Sequence, residues 1–310
     1  MISLKGDGNT SMKKKILCVG HCVLDRVYHV ENMPRAAQKM DALTSRESGG
    51  GPASTAAVAI AKLGGEVAFV GHLGDDDAGR TLCRKLNEQQ VNIKNIIIIE
   101  GFRTIAPVVL VDQTGERCII VHRHPVSVPE ERMHFDLNKT DCLLVDTRWI
   151  PGAKSAIQAA KTLNIPIVID VDGGDRQSIF EMLPFCEHVI FSDQGLNDCT
   201  DHGDIETRLR KIQQLCTGIV AVTSGQIGSY WLINDRLHHV PAFSVTSQDT
   251  TGCGDVFHGA YALTIAEGMA PLQAARFASA AAALKAKNGN GWDGMPRRAD
   301  VDLLARSIPL

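Results

Sequence analysis

The residues with the most chemical content sit in one short run, Asp249-Thr250-Thr251-Gly252-Cys253-Gly254-Asp255. Two glycines within three positions let a backbone come close to a ligand. The apolar stretch beginning at Val256 reads as a helix. The amides of Gly252, Cys253 and Gly254 would then lie at a helix N-terminus, where unpaired N–H groups and the helix dipole favour an anion. Asp255 has two readings. In the first turn of a helix, a carboxylate stabilises the positive end by roughly a few tenths of a kcal/mol. Beside an anion cradle, it is also placed to act as a general base. Phosphoryl transfer asks for both features: neutralised charge on the transferring group, and a carboxylate that orients and deprotonates a hydroxyl.

Such a run needs a scaffold, and the rest of the chain alternates strand and helix patterns. Continuous apolar runs at 16–20, 66–71, 141–146, 166–170, 187–191 and 218–223 predict strands buried on both faces. Helical patterns at 53–63, 153–163 and 205–216 lie between them, and helices at about 254–268 and 271–287 are expected to close the chain. Residues 243–247 look like one more strand, leading into the 249–255 run. The alternation predicts an α/β fold: a doubly wound, mostly parallel sheet flanked by helices. Two stretches, about 27–48 and 102–123, break it. The second reads as a hairpin, with apolar runs at 106–112 and 117–121 around Gln113-Thr114-Gly115. The two stretches are expected to form a small β-sheet lid, of the kind that covers active sites and excludes water. Residues 1–12 look like a flexible extension ahead of one domain at 13–310, and Met12 offers an alternative start.

The chain carries 32 Lys plus Arg against 35 Asp plus Glu, a formal charge of −3. That near-balance argues against a nucleic-acid binder, which usually shows a basic surplus or stripe. Hydrophobic residues make up 44%, enough for a packed core rather than a disordered chain. No apolar run approaches the ~20 residues of a membrane span. The polar N-terminus has no signal core, so a cytoplasmic location is expected. The nine cysteines, at 18, 22, 83, 118, 142, 186, 199, 216 and 253, are odd in number and lack CxxC pairs. They read as free thiols, most of them small core hydrophobes. Cys18 and Cys22 lack the second pair that a zinc site would need.

The run 249–255 resembles the DTxGAGD signature of the PfkB (ribokinase-like) carbohydrate kinases, with Cys253 at the usual Ala. Gly49-Gly50-Gly51-Pro52-Ala53 resembles the family's glycine pair before a small-residue helix, and the likeness extends from Lys14 to the C-terminus. The resemblance implies a ribokinase-like fold and an ATP-dependent kinase that phosphorylates a sugar hydroxyl. It implies Asp255 as the base and the amides of Gly252, Cys253 and Gly254 as the γ-phosphoryl cradle. Asp25, Gly50, Gly51 and Thr55 are implied at the sugar; Thr55 stands where many members carry Asn. Asp25 also has a plain reading as a turn or cap residue, but it follows a strand at the carboxyl end, where open α/β sheets bind ligands. Thr223, Gly225 and Gly228 resemble a TxGxxG turn that borders the nucleotide, with Thr250 on the same ligand. Ser192-Asp193-Gln194-Gly195 departs from the NxxE motif that organises water around Mg²⁺. Mg²⁺ is still expected with ATP, with no protein metal ligand assigned.

Within the family, Gly291-Trp292-Asp293-Gly294 and the opening strand resemble ketohexokinases. The closer resemblance is to the sulfofructose kinases, through Gly74-Asp75-Asp76-Asp77, Arg148-Trp149 and Val256-Phe257-His258-Gly259-Ala260. That branch implies an anionic ketose such as 6-deoxy-6-sulfofructose, with Lys39 and Arg148 on the anion and His122, Arg123 and His124 nearby. Arg148 could grip an oxygen pair in a bidentate contact; the plain reading makes both residues solvated surface charges. A lid with one open face implies a homodimer formed through it. Three alternatives stand beside the anionic ketose. One is a fructokinase, ketohexokinase or ribokinase acting on a neutral sugar. A non-catalytic sugar- or nucleotide-binding protein is the second, though a binder has no need of the base in GCGD. The third, a dinucleotide-dependent oxidoreductase, is weak because GHCVLD is not GxGxxG.

Overall fold

The computed structural model describes residues 13–114 and 116–307. The expected extension at 1–12, with Met12, lies outside the described residues, as does Gly115 of the expected hairpin turn.

In chain order the first part comprises β1 (Lys15–Val19), β2 (Val23–His29), β3 (Thr44–Gly50), α1 (Pro52–Lys62), β4 (Glu66–Val70), β5 (His72–Gly74), α2 (Asp77–Glu88), β6 (Ile97–Ile99), β7 (Val108–Val111) and β8 (Arg117–Ile120). There follow β9 (Cys142–Asp146), α3 (Ile150–Thr162), β10 (Ile167–Val171), α4 (Arg176–Met182), β11 (His188–Ser192), α5 (Asp193–Cys199), α6 (Ile205–Gln213) and β12 (Ile219–Thr223). The chain ends with β13 (Gly228–Ile233), β14 (Arg236–Pro241), α7 (Cys253–Ala266), α8 (Pro271–Asn288) and α9 (Arg298–Arg306).

The main sheet runs β14-β13-β12-β11-β10-β9-β1-β4. It is parallel from β4 to β12, and β13 and β14 join antiparallel at one edge. Residue alternation divides its side chains between two cores. Ile16, Cys18, Leu144, Val168 and Ile190 pack with α1, α7 and α8, whereas Leu17, Val145, Ile169, Val189 and Phe191 pack with α3 to α6. Both faces are therefore covered, which is why these strands read as continuous apolar runs. The helices on the first face are rich in buried Ala, among them Ala56, Ala59, Ala260, Ala278 and Ala281. Small side chains let α1, α7 and α8 pack closely.

A separate four-stranded sheet, β3-β2-β7-β8, forms the lid. The expected hairpin is present as the antiparallel pair β7–β8. The lid reaches further back than 27–48, because β2 begins at Val23 and pairs along its length with β3. Asp25 is thus a lid-strand residue, and not a residue of a loop after β1. Residues 243–247 are not a strand; they run without a ladder partner after β14. Nor do two helices close the chain, since α9 follows them, its Val301 buried against the first core. All nine cysteines are free, and six are buried. Among the described residues, no helix is long and apolar enough to cross a membrane.

Candidate active site

Helix α7 begins where the chain turns through Gly252, at φ 76°, the left-handed region that glycine enters most easily. This turn ends the 249–251 segment and begins a fourteen-residue helix that has no side-chain cap, its Cys253 amide donating to the Thr250 carbonyl at 3.3 Å. The loop is tied down on both flanks. The Asp249 carboxylate accepts from the Thr251 amide at 2.8 Å and lies 3.3 Å from Arg46 of β3. From the lid strand β8, Arg117 donates to the Thr251 hydroxyl at 2.7 Å and to the Thr250 hydroxyl. The lid therefore touches the 249–255 loop directly.

Asp255 and Gly252 open on a cavity of about 440 Å³, within the usual size for a small-molecule site. Asp25, Gly50, Gly51, Thr55 and Thr250 line the same space. Asp25 on β2 and Gly50 on β3 approach so closely that a Cβ on Gly50 would stand 2.2 Å from Asp25 Oδ2. The bare backbone there is what lets the Asp25 carboxylate lie against the neighbouring strand. Thr55, in the first turns of α1, accepts from the Trp292 indole at 3.1 Å. The Gly291–Gly294 segment, singled out by its sequence, thus closes one wall of the cavity.

Other predicted residues lie elsewhere. Arg148 points its guanidinium at Asp172, 2.6 Å from Oδ2. Asp172 lines the cavity, but Arg148 is not among its lining residues. Lys39 is exposed in the β2–β3 connection, also outside the lining. Thr223, Gly225 and Gly228 form the turn from β12 to β13, where the Ser224 amide donates to the Gly228 carbonyl at 2.7 Å. That turn is likewise outside the cavity. At the departed NxxE position, the side chains serve the fold. Ser192 caps α5 through the Gly195 amide at 2.9 Å, and Asp193 accepts from the Ser224 hydroxyl at 2.7 Å.

Carboxylates gather at the carboxyl ends of β9 and β10. Asp146 accepts from the amides of His21, Ala53 and Arg148 at 2.8–3.0 Å, joining the ends of β1 and β9 to the start of α1. Burial nevertheless pushes its carboxyl up to about 6. Asp255 is pushed further, to about 8, first by burial and then by the negative charge of Asp170. One turn along α7, His258 Nδ1 lies 3.2 Å from Asp170 Oδ2. Burial opposes charge on that imidazole, but Asp170 prevails and holds its pKa above the usual value. Asp25 is raised to about 6, mainly by burial, with Arg46 pulling the other way. An unusually basic carboxylate in the first turn of a helix, lining a cavity, is an arrangement suited to proton abstraction.

Sequence reasoning missed several residues that line the cavity. Arg46 and Arg117 sit on lid strands whose register decides which residues face inward. Lys285 ends a helix, where a lysine ordinarily reads as solvated; only burial distinguishes it. The GWDG segment was visible as a motif, but nothing in it placed Trp292 against Thr55.

A doubly wound sheet with a glycine turn into a helix at its carboxyl edge, and a buried carboxylate beside that turn under a β-sheet lid, is a construction suited to phosphoryl transfer to an alcohol. Comparison with known proteins narrows this class. The model for the pfkB family carbohydrate kinases matches residues 13–298. The chain is 29% identical over 240 residues to fructokinase-2 of Oryza sativa subsp. japonica, covering 71% of each chain. It is 25% identical over 309 residues to the ribokinase of Bacillus subtilis, covering 94% of this chain and 99% of that one. The structure of Arabidopsis thaliana ribokinase complexed with ribose and ATP superimposes with a TM-score of 0.82 at 23% identity, over 95% and 99% of the two chains. The chain belongs to the pfkB family of carbohydrate kinases: it is an ATP-dependent sugar kinase.

Because Arg117 ties the lid to the 249–255 loop, Arg117→Met should leave the main fold unaffected but loosen closure. The expected result is a fall of about tenfold in kcat/KM, together with a rise in ADP release without sugar, because water then reaches the nucleotide. Comparing ADP release with and without sugar checks both.

Proposed function

We propose that the chain transfers the γ-phosphoryl of ATP to a primary hydroxyl of a furanose-form ketose. The observation that carries this reading is the shared cavity: Asp255 and the α7 N-terminus on one side, and Asp25 on its lid strand on the other. In this reading Asp25 and Thr55 hold sugar hydroxyls, and Asp255 accepts the proton of the attacking hydroxyl. The amides of Gly252, Cys253 and Gly254 take up the charge that develops on the phosphoryl oxygens. A carboxylate near pKa 8 is a stronger base than a solvated one, which suits it to this step near neutral pH. The nucleotide would extend from the anion loop towards the turn holding Thr223, Gly225 and Gly228.

Magnesium belongs to this proposal. Such an ion keeps most of its waters and takes few protein carboxylates besides the nucleotide's own oxygens. Of the carboxylates that line the cavity, Asp25, Asp172, Asp249 and Asp255, this reading gives the ion to Asp172. When bound, the ion neutralises phosphate charge.

We favour a neutral ketose, because neither Arg148 nor Lys39 lines the cavity. The anionic version, with 6-deoxy-6-sulfofructose as its example, was to rest on Arg148 and Lys39. It requires Arg148 to leave Asp172 and Lys39 to swing in from an exposed loop. A coupled ADP-release assay over fructose, ribose, anionic 6-substituted fructoses and nucleosides decides between them. Turnover with none of these would overturn the kinase reading for this chain. A homodimer through the lid is part of the same proposal, supported by Ile119 and Ile120 of β8, which are 59% and 61% exposed. Sedimentation of the wild type and of Ile120→Lys tests it.

A further inference from the structure

Lys285, in the last turn of α8, is only 1% exposed. Its ammonium has no hydrogen-bond partner among the described residues, yet it lines the cavity shared by Gly252 and Asp255. A buried charge is costly unless paired, so an unpartnered ammonium in this position needs a role. The backbone beside it anchors the anion loop: the amides of Gln248 and Asp249 both donate to the Ala286 carbonyl, at 2.8 and 3.2 Å. Arg117 and Lys285 both bear on the carboxylate of Asp249, which Arg46 and the Thr251 amide already engage. Burial draws the ammonium below its usual range, with Arg46 and Arg117 acting the same way and Cys253 and Asp249 in the opposite direction.

We infer that Lys285 is a built-in cation under the 249–255 loop, a positioning residue that keeps the loop's amides turned towards the phosphoryl group and adds positive charge behind them. This inference deepens the kinase reading and rests on it. Lys285 acts through the loop, so its loss should appear in the chemical step more than in sugar binding.

Two variants test it. Lys285→Met keeps the length of the side chain and removes the charge. It should fold with a Tm no lower than wild type, lose at least a hundredfold in kcat, and keep the sugar KM within about threefold. Lys285→Ala leaves room for a small amine, and added methylammonium should restore at least tenfold of its lost kcat. A kcat for Lys285→Met within threefold of wild type overturns the inference, and so does a loss in Lys285→Ala that methylammonium leaves untouched. Should the wild-type chain phosphorylate no sugar, the kinase reading fails separately, and Lys285 is judged on nucleotide binding. Calorimetry should then show Lys285→Met binding ATP at least tenfold more weakly, with ADP affected less. Equal ATP affinity in the two proteins would overturn the inference by itself.

Discussion

Asp255→Asn should fold, bind nucleotide and turn over its sugar about a thousandfold more slowly than wild type. The amide keeps the shape of the carboxyl but cannot take the hydroxyl proton, and a positioned general base contributes about 10²–10⁴-fold. The expected loss is in kcat, with a modest change in sugar KM. The same substitution makes a second prediction, about stability. Burial and Asp170 raise the Asp255 carboxyl from its ordinary 3.8 to about 8. The folded protein therefore favours the neutral acid. The stability this group allows is complete below about pH 4 and is lost as pH rises through about 8. Asn carries no such loss, so the Tm of Asp255→Asn relative to wild type should increase across that window. Wild-type kcat/KM should rise over the same range as the free enzyme's base ionises, and the variant should lack that limb. A variant with near-normal kcat would remove Asp255 from the chemistry.

The second large effect is expected at Gly252. Gly252→Ala would place a Cβ 3.2 Å from Thr55 Cγ2 and hold an L-residue at φ 76°. The left-handed conformation alone costs a non-glycine residue about 1–2 kcal/mol. Relief of that strain would rotate the amides at the start of α7 away from the cavity. Losing one donor of an oxyanion site ordinarily costs about 10²–10³ in kcat, and a hundredfold loss is the expected outcome here. The Tm should fall as well, in contrast to Asp255→Asn. Steady-state kinetics with thermal melts separates the two variants: both are slow, but they move in opposite directions in stability.

How far the molecule could be read in advance depended on whether the reason for each feature was local. The parallel strands were legible because burial on both faces demands unbroken apolar runs, and 16–20 or 187–191 show this without any knowledge of their neighbours. The segment 243–247 has a similar look, yet it finds no ladder partner, and pairing is a property of two segments rather than one. The polar, amphipathic α2 and the late helix α9 carry weaker apolar signals and went unread. The lid was recognised as an interruption, but its extent was misjudged, because β2 starts at Val23 only by virtue of its register with β3.

The site divides along the same line. Glycine spacing, a helix start and an acidic first turn are sequence-local, and so the 249–255 run shows by itself a glycine turn into a helix with Asp255 in its first turn. Where long charged side chains point is not local. Arg148 turns to Asp172 across the ends of β9 and β10, Lys39 stays out in its loop, and Arg117 reaches from the lid to Thr251. Lys285 is buried although it stands in a helix end that reads as solvated. The sequence by itself determined the layered α/β scaffold and the glycine turn and carboxylate at the start of one helix, because backbone conformation and burial periodicity are written residue by residue. Only the tertiary structure decided which cations face that chemistry and how strongly Asp255 holds its proton, because both depend on charges and burial contributed by segments far apart in the chain.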